Sequence, residues 1–416
     1  MVDGSMNICL ALISDGMGGA EVVTHDLAEH LMKKGDKVFL ILSNEMKKGF
    51  EDLSTIEKIY VGPWYREQSI QKMGNHKVES AIIRDSMRFL SIYYDEMKRK
   101  IRSYVLKKRI MDFLLRNRID VIHSHRADTD IFIHRLKQST IPMMTTIHGE
   151  HALTGRLEHN ILSRPLVFMK SSIFKHALCG MQLICAVSES EMCALRRWGI
   201  PSDKRIRVIH NGVDVAFLQH ISSHSVMDDS KFNILFPGGS KWYKGGDLLI
   251  QSLRNLKVKI PSFHLYIAMS VKKDDPMIKM VSKVGLNDCV TFLGALERDT
   301  YLRYLRETDI LVMPSRREAF PISILEAMAM GKPIVATGIG GIIDILTHRR
   351  NGLIVEDNPE SISDAIVLLA ANPELRKQIG INNAQDIQRY RWGNIIDEYC
   401  LEYRNLALSD LEGRSR

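Results

Sequence analysis

Strand-like and helix-like segments alternate in two long runs along this chain, and this alternation limits the fold more than any other feature. In each run, short apolar segments are followed by stretches of helical periodicity. The first run predicts strands at residues 7–14, 37–42, 120–124, 143–147, 183–187 and 207–209. The second run predicts strands at residues 232–236, 263–269, 290–293, 310–313, 333–336 and 353–355. Such alternation is typical of an α/β fold with parallel, doubly wound sheets, here in two domains.

A polar stretch separates the two runs and predicts the boundary between the domains. Residues 219–231 hold few apolar side chains and include Ser222, Ser223 and Ser225, so we predict an interdomain linker there. The N-terminal domain is then expected at residues 6–218 and the C-terminal domain at 232–391. Two open sheets in tandem make the cleft between them the expected ligand site.

The composition is that of an ordinary globular protein, with 45% hydrophobic and 25% charged residues. No apolar run reaches the roughly 18 residues that span a bilayer, which predicts a cytoplasmic protein. The six cysteines are scattered without a CxxC pair, and this spacing argues against a disulfide framework and against a zinc site. A net charge of +8 suits nucleic acid, an anionic membrane face or a polyanionic small molecule alike.

The positive charge is concentrated in one segment of the N-terminal half. Nine lysines and arginines lie between Lys98 and Arg118. Apolar residues recur there near helical spacing, at Met97, Ile101, Tyr104, Met111 and Leu115. The pattern predicts a basic amphipathic helix. It fits a solvated face on a packed helix, and it also fits contact with an anionic membrane surface.

Two glutamates, Glu318 and Glu326, stand eight residues apart and form the sharpest local pattern. Pro321 suits a first helical turn, so Glu318 is predicted in a loop and Glu326 about one turn into the following helix. Both carboxylates can then face one cleft. A carboxylate accepts hydrogen bonds from vicinal hydroxyls, and free N–H groups at the helix start can bind a diphosphate oxygen. Two chance glutamates on a solvated face would give the same spacing.

Further segments extend this pattern over most of the chain. They are residues 309–315 (DILVMPS), 331–341 (GKPIVATGIGG), 208–214 (VIHNGVD), 238–245 and 18–21 (GGAE). Together with the two glutamates, these segments resemble the signature of the family-four glycosyltransferases. The resemblance implies the GT-B fold, in which two Rossmann-like domains face each other across a cleft. It also implies that a final helix, at residues 392–408, crosses back to the N-terminal domain.

The resemblance implies roles for single residues in this sequence. Glu318 would hold hydroxyls of the donor sugar, and Glu326 would hold the ribose hydroxyls of the nucleotide. Lys244 would meet the diphosphate and neutralise the charge that builds on the leaving nucleotide. Donor contacts are also expected at the helix start and in the stretch that meets the base, at Phe320, Pro321, Ile322 and Gly294. In the glycine loop, Gly18 and Gly19 would approach the acceptor and the transferred sugar, because they carry no side chain.

This sequence departs from the family pattern at two positions. Members of the family commonly carry arginine five positions before the lysine, where this chain has Gly239, and Lys241 is the expected substitute. The family often places glutamate three residues after the Gly-Gly pair, where this chain has Asp344. Because the Asp344 side chain is shorter than that of glutamate, the sequence does not establish that Asp344 makes the contact of the family's glutamate.

Histidines and aspartates in the N-terminal half give further candidates. His148 follows a predicted strand where the family keeps a histidine beside the donor sugar, so a catalytic role is predicted, although a structural histidine fits the same place. The pair His123 and His125 could suggest a metallohydrolase, but no carboxylate ligand pattern completes it. Asp128 and Asp130 spell the DxD of metal-dependent transferases and are expected to cap the helix that follows. Because lysine and a helix dipole are expected to stabilise the leaving group, no metal is predicted.

The glycine loop after the first strand also has to be compared with a dinucleotide-binding fingerprint. That fingerprint needs glycine where Glu21 stands, and it needs an acidic residue at the end of the second strand, where Ser43 and Asn44 stand. A dehydrogenase is therefore disfavoured.

These features predict a retaining, metal-independent transferase without a cofactor. It would move a hexose or N-acetylhexosamine from a nucleotide diphosphate sugar to a hydroxyl, and UDP is favoured by its frequency in the family alone. No nucleic-acid partner is expected. The acceptor should bind between Lys58 and Arg118, where no motif identifies it. A lipid-linked or glycan acceptor fits the basic helix, as does a position at the inner face of the cell membrane, and a small soluble acceptor also fits.

Three alternatives share the same cleft. A sugar-nucleotide epimerase needs an acid/base set around the sugar carbon, which the paired glutamates resemble loosely. A phosphorylase of this architecture usually carries pyridoxal phosphate on a lysine, and its motif is not found. A non-catalytic protein that binds nucleotide sugars would have the same residues and would release no nucleotide.

Overall fold

The computed structural model describes residues 4–14, 18–61, 106–134, 136, 140–149, 164–221, 226–239, 241–260, 262–269 and 275–414. The chain divides into two compact units. Unit 1 comprises residues 1–146, 159–184 and 401–416, and unit 2 comprises residues 147–158 and 185–400.

The first sheet has seven strands in the order β3-β2-β1-β4-β5-β6-β7. Its strands are β1 (Asn7–Leu12), β2 (Lys37–Ser43), β3 (Glu57–Val61), β4 (Val121–Ser124), β5 (Met143–Ile147), β6 (Leu183–Ala186) and β7 (Ile206–Val208). Helices in this part of the chain are α1 (Gly19–Lys33), α2 (Ala127–His134), α3 (Arg164–Gly180), α4 (Glu189–Arg197) and α5 (Val215–Gln219). β1 pairs in parallel with both β2 and β4, and its inner residues are fully buried, as expected for a strand covered on both faces.

The second sheet has six strands in the order β10-β9-β8-β11-β12-β13. Its strands are β8 (Phe232–Phe236), β9 (Phe263–Ile267), β10 (Val290–Phe292), β11 (Ile310–Met313), β12 (Ile334–Thr337) and β13 (Leu353–Val355). Its helices are α6 (Gly246–Lys259), α7 (Pro276–Lys283), α8 (Arg298–Glu307), α9 (Ile322–Ala329), α10 (Ile342–Ile345), α11 (Pro359–Ala371), α12 (Pro373–Asp386) and α13 (Trp392–Arg414). The central strands β11 and β12 are buried at every residue, so two apolar cores lie on the two faces of this sheet.

The strand order of each sheet reverses at one point. In the first sheet the reversal lies between β1 and β4, and in the second sheet it lies between β8 and β11. Ligands of open α/β sheets bind outside the carboxyl ends of the strands at such a switch point. The loops that follow β8 and β11 are therefore the expected place for a ligand of the second sheet.

The sequence pattern predicts most strands and misses one. β5, β8, β11 and β13 have the predicted bounds, and the other predicted strands differ by one or two residues at an end. β3 is not predicted, because this edge strand begins with the charged Glu57 and Lys58 and buries only Ile59 and Val61. The predicted linker, residues 219–231, lies between the last strand of the first sheet and the first strand of the second. The predicted domain bounds stay a prediction.

In the described part of the basic segment, residues 106–116 are helical, as predicted. The buried face of this helix differs from the prediction. The buried residues are Ile110, Phe113 and Leu114, whereas Leu115 is 63% exposed. The predicted apolar face is therefore wrong at Leu115, because the buried stripe follows the i, i+3, i+4 spacing from Ile110. The predicted face also included residues outside the described part of the chain, at Met97, Ile101 and Tyr104.

The final helix is longer than predicted and runs from Trp392 to Arg414. Trp392 is buried, and a Cβ atom on Gly212 would lie 2.4 Å from its ring, so glycine lets the two segments meet. Further along, the Tyr403 hydroxyl lies 2.7 Å from Nδ1 of His123 in β4. Across the described residues, no helix is both long and apolar enough to cross a bilayer.

Candidate active site

Two loops meet at the switch point of the second sheet. The loop after β8 contains a short 3₁₀ helix, Trp242–Lys244, and ends at Gly245. The loop after β11 begins at Pro314, and the Arg316 N–H in this loop donates a hydrogen bond of 2.7 Å to the Tyr243 carbonyl. Gly245 has a φ of +70°, and a Cβ atom there would lie 1.7 Å from the Pro314 carbonyl oxygen. Glycine is therefore required for this close approach.

A lysine and a glutamate join the same two loops through their side chains. Lys244 Nζ lies 2.8 Å from Glu318 Oε1, and the two side chains are 28% and 9% exposed. Ser315 Oγ donates a second hydrogen bond of 2.8 Å to the same Glu318 oxygen. The Thr337 hydroxyl donates to the Ser315 carbonyl and so joins this loop to β12. Glu318 is thus held by donors from both loops.

Arg316 ties the two loops together beside this pair. Its guanidinium donates two hydrogen bonds of 2.8 Å to the two carboxylate oxygens of Asp247 and one of 2.8 Å to the Trp242 carbonyl. It also lies 4.9 Å from the centre of the Trp242 ring. Burial alone would raise the pKa of Asp247, but the hydrogen bond and the charge of Arg316 outweigh it and lower that pKa. A bidentate pair of this kind fixes the loop geometry.

A buried aromatic residue in the second loop, just before the helix start, contacts two residues of the segment 208–214. Phe320 is 3% exposed, and its ring stacks on His210 at 4.7 Å between the ring centres. The Phe320 carbonyl accepts a hydrogen bond of 2.9 Å from Asn211 Nδ2. α9 begins at Ile322, and Pro321 precedes it with an extended ψ of 118°. The prediction that Pro321 belongs to the first helical turn is therefore wrong by one residue, because its ψ is not helical.

The Gly-Gly loop after β12 packs against the backbone of the Glu318 loop. A Cβ atom on Gly340 would lie 1.9 Å from the Glu318 carbonyl oxygen, and one on Gly341 would lie 1.8 Å from the Ala319 carbonyl oxygen. The Gly341 N–H donates to the Glu318 carbonyl at 3.2 Å. The two glycines therefore allow the Gly-Gly loop to pack directly against the backbone of Glu318 and Ala319.

Glu326 has a different partner from Glu318. It lies one turn into α9, its side chain is 3% exposed, and its Oε1 lies 2.9 Å from Arg298 Nη1. Arg298 is the first residue of α8, four positions after Gly294, which has a φ of +76°. The structure thus gives each glutamate its own cation. Arg298 is absent from the sequence predictions, since no local spacing links it to Glu326.

Family models match both halves of the chain. A model described as Glycosyltransferase Family 4 matches residues 17–217, and one described as Glycosyl transferases group 1 matches residues 220–386. The chain belongs to glycosyltransferase family 4. Relatives of this family-4 glycosyltransferase include the D-inositol 3-phosphate glycosyltransferase of Pseudarthrobacter chlorophenolicus, 28% identical over 66% of this chain and 68% of the relative. The N-acetyl-alpha-D-glucosaminyl L-malate synthase of Bacillus anthracis is 20% identical over 96% of this chain and 97% of its own.

Solved structures of glycosyltransferases share the fold. The sucrose-phosphate synthase of Thermosynechococcus elongatus superposes with a TM-score of 0.74 at 18% identity, over 96% of this chain and 99% of that chain. HepE of Anabaena, solved in complex with UDP, superposes with a TM-score of 0.72 at 17% identity, over 96% of this chain and 100% of that chain. The two parallel sheets of the family-4 glycosyltransferase therefore form the GT-B fold, which confirms the predicted fold class.

Gly239 stands in this family-4 glycosyltransferase where the resemblance leads us to expect arginine, and Lys241 is the predicted substitute. The ammonium groups of Lys241 and Lys244 each lie 5.7 Å from the centre of the Tyr243 ring. A Cβ atom on Gly239 would have the Lys241 backbone nitrogen as its nearest neighbour, at 3.9 Å. Both lysines therefore lie beside the Tyr243 ring, and Lys241 stays the predicted second cation.

Asp344, the second departure from the family pattern, has a structural contact in the family-4 glycosyltransferase. Its Oδ2 accepts a hydrogen bond of 2.9 Å from the backbone N–H of Glu189, the first residue of α4. A carboxylate at a helix N-terminus interacts favourably with the helix dipole. Asp344 therefore caps a helix in this structure.

The predicted glycine loop belongs to unit 1. Gly18 and Gly19 are exposed at the start of α1, and a Cβ atom on Gly18 would lie 2.9 Å from Glu21 Oε2. Glu21 is buried and pairs through Oε1 with Arg126 Nη1 at 2.8 Å. The same Arg126 nitrogen donates to Ser14 Oγ at 2.7 Å. This network joins the loops after β1 and β4, at the switch point of the first sheet.

The remaining candidates of the N-terminal half lie at the ends of β4 and β5. His148 is half-buried and directly follows β5, and its catalytic role stays a prediction. His123 forms hydrogen bonds with Tyr403 and Thr146, both at 2.7 Å.

Asp130 lies inside α2, where its N–H donates a hydrogen bond of 2.8 Å to the Arg126 carbonyl, and its side chain accepts a hydrogen bond from Ser124. The prediction that Asp130 caps this helix is therefore wrong, and the side chain of Asp128 lies outside the described part of the chain. Within the described ranges, no group of three histidine, cysteine or acidic side chains could hold a metal ion.

Proposed function

We propose that this protein is a retaining, metal-independent glycosyltransferase that moves a hexose or N-acetylhexosamine from a UDP-sugar to a hydroxyl acceptor. The supporting observation is the 2.8 Å contact between Lys244 Nζ and Glu318 Oε1 at the switch point of the second sheet. A nucleotide sugar carries sugar hydroxyls next to a diphosphate. An adjacent carboxylate and ammonium therefore match two neighbouring groups of one ligand.

The proposed reaction proceeds on one face of the donor sugar. The bond between the anomeric carbon and the phosphate oxygen breaks while the acceptor oxygen bonds to the same face of that carbon. The acceptor proton passes to the departing phosphate oxygen, so the step needs no nucleophile from the enzyme. Lys244, Lys241 and the N-terminus of α9 would stabilise the negative charge on the departing UDP, and Glu318 would orient the sugar beside His148. This positive charge takes the part that a metal ion plays in other transferases.

The proposed donor and acceptor rest on separate arguments. UDP is supported by the UDP complex of HepE, which shares the GT-B fold. Contact with an anionic membrane is supported by the basic helix, where the 63% exposed Leu115 stands among the exposed Lys108, Arg109 and Arg116. An exposed apolar side chain among cations suits a membrane interface. A lipid-linked hydroxyl acceptor would fit this surface.

The proposed function is tested by UDP release in the presence of EDTA. UDP-hexoses and UDP-N-acetylhexosamines are incubated with the protein, with and without a panel of hydroxyl acceptors. Release that increases with an acceptor, and a product of retained anomeric configuration, would support the proposal. Binding of a UDP-sugar without release would indicate a binding protein, and release that requires a divalent cation would contradict metal independence.

Replacing Glu326 by alanine is expected to raise the KM for the donor by about tenfold while kcat falls much less, because ribose contacts bind ground state and transition state alike. Steady-state kinetics with varied UDP-sugar would measure both constants. Glu374→Ala, at an exposed position of the same unit, is the control and should behave like the wild type. Wild-type donor affinity in the Glu326 variant would remove Glu326 from the site.

A further inference from the structure

The ion pair between Arg298 and Glu326 bears directly on how the nucleotide is recognised. Glu326 is 3% exposed, and Arg298 is 39% exposed, so the guanidinium lies between a buried carboxylate and the solvent. A buried carboxylate is costly unless a cation or hydrogen-bond donors compensate its charge. The 2.9 Å contact from Arg298 Nη1 to Glu326 Oε1 supplies such a cation as an ion pair, although its geometry is not that of a hydrogen bond.

A tyrosine on the same helix face cannot take over this role. Tyr301 follows Arg298 by three positions in α8, which places both on one side of the helix. Burial raises the pKa of Tyr301, and the charge of Glu326 raises it further. Tyr301 therefore stays a neutral phenol beside the carboxylate and supplies no positive charge.

The position of Arg298 in the chain connects two parts of the proposed nucleotide site. It begins the helix that follows Gly294, in the stretch expected at the base, and it contacts the helix that follows the Glu318 loop. Arg298 thus joins the start of α8 to the first turns of α9. A change at Arg298 would move Glu326 without touching Lys244 or Glu318, which lie in other loops.

We propose that Arg298 is a positioning residue for nucleotide binding. It orients the Glu326 carboxylate so that this group accepts hydrogen bonds from the ribose hydroxyls. This inference rests on the proposed function, in which Glu326 binds the ribose. It goes further in assigning the discrimination between ribose and deoxyribose nucleotides to the Arg298–Glu326 pair.

The experiment is a calorimetric titration with UDP and with 2′-deoxy-UDP. The proteins are the wild type, Arg298→Met, Arg298→Lys and Arg350→Met. Methionine keeps the length of the arginine side chain and removes its charge. Arg350 is the matched control, because it also pairs with a carboxylate of unit 2, Asp386 at 2.8 Å, but is itself 53% exposed and lies outside the loops after β8 and β11.

We expect the wild type and Arg350→Met to bind UDP about tenfold or more tightly than 2′-deoxy-UDP, since a hydrogen bond to a charged group is lost with the hydroxyl. Arg298→Met should weaken UDP binding by about 10- to 100-fold and bring the two nucleotides within about threefold of each other. Arg298→Lys should recover most of the discrimination, because it restores the charge.

Two outcomes would overturn the inference while leaving the proposed function intact. One is wild-type affinity for both nucleotides in Arg298→Met. The other is an equal loss for both nucleotides with the discrimination ratio unchanged, which would indicate a structural role alone. Failure of the wild type to bind UDP would instead contradict the proposed function.

Discussion

Replacing Lys244 by alanine is expected to lower kcat/KM for the donor sugar by about 10²- to 10³-fold, the usual effect of removing one group that stabilises transition-state charge. Lys244 Nζ lies 2.8 Å from Glu318 Oε1, and the diphosphate would compete for the same ammonium group. The variant loses the cation that pairs with Glu318, the carboxylate proposed to orient the sugar. Both kcat and kcat/KM should fall, because the charge on the departing UDP is largest in the transition state.

Lys259→Ala is the matched control for this experiment. Lys259 also pairs with a carboxylate of unit 2, at 2.9 Å from Asp364, but its side chain is 49% exposed on α6. Pairs of this kind contribute little to stability, so the control should retain wild-type kinetics. Turnover of Lys244→Ala within about twofold of the wild type would show that Lys244 does not stabilise the leaving group.

Replacing Gly245 by alanine is expected to lower stability by about 3 kcal/mol and to abolish tight donor binding. The new Cβ atom would lie 1.7 Å from the Pro314 carbonyl oxygen, so the two loops of the site would have to move apart. That movement would break the hydrogen bond from the Arg316 N–H to the Tyr243 carbonyl and displace Lys244 from Glu318. Thermal unfolding and UDP titration would measure the two effects.

Gly285 provides a control that separates backbone strain from the clash. Its φ is +70°, the same as that of Gly245, but no atom lies within 4 Å of a Cβ atom built there. Gly285→Ala should therefore cost only the roughly 1 kcal/mol of a left-handed alanine and leave UDP binding unchanged. Equal losses of stability in the two variants, with donor binding retained in both, would show that the two loops do not need this close approach.

Much of the fold follows from periodicity and burial. The largely buried strands β8 and β11 are apolar at nearly every position, and the sequence predicts their bounds correctly. The edge strand β3 escapes prediction because it begins with the charged Glu57 and Lys58 and buries only two of its five residues. The sequence pattern does not predict the order of the strands in the sheet, although this order decides which loops become neighbours.

The residues of the candidate site also fall into two groups, those that the sequence identifies and those that it does not. Lys244 and Glu318 can be selected by resemblance, and their contact becomes intelligible once β8 and β11 are neighbours in the sheet. Arg298 and Arg316 could not be selected, because their partners Glu326 and Asp247 lie far away in sequence and share no periodic signal. Such pairs depend on how helices and loops pack, which the sequence pattern alone does not give.

We propose that unit 2 binds a nucleotide diphosphate sugar through Lys244 without a metal ion. A calorimetric titration of UDP in EDTA, with the wild type and Lys244→Ala side by side, tests it most directly. We expect the wild type to bind UDP under these conditions and the Lys244→Ala variant to lose this binding. Absence of wild-type binding, or binding that appears only with a divalent cation, would contradict the assignment of the loop after β8 to the diphosphate and the transferase mechanism built on it.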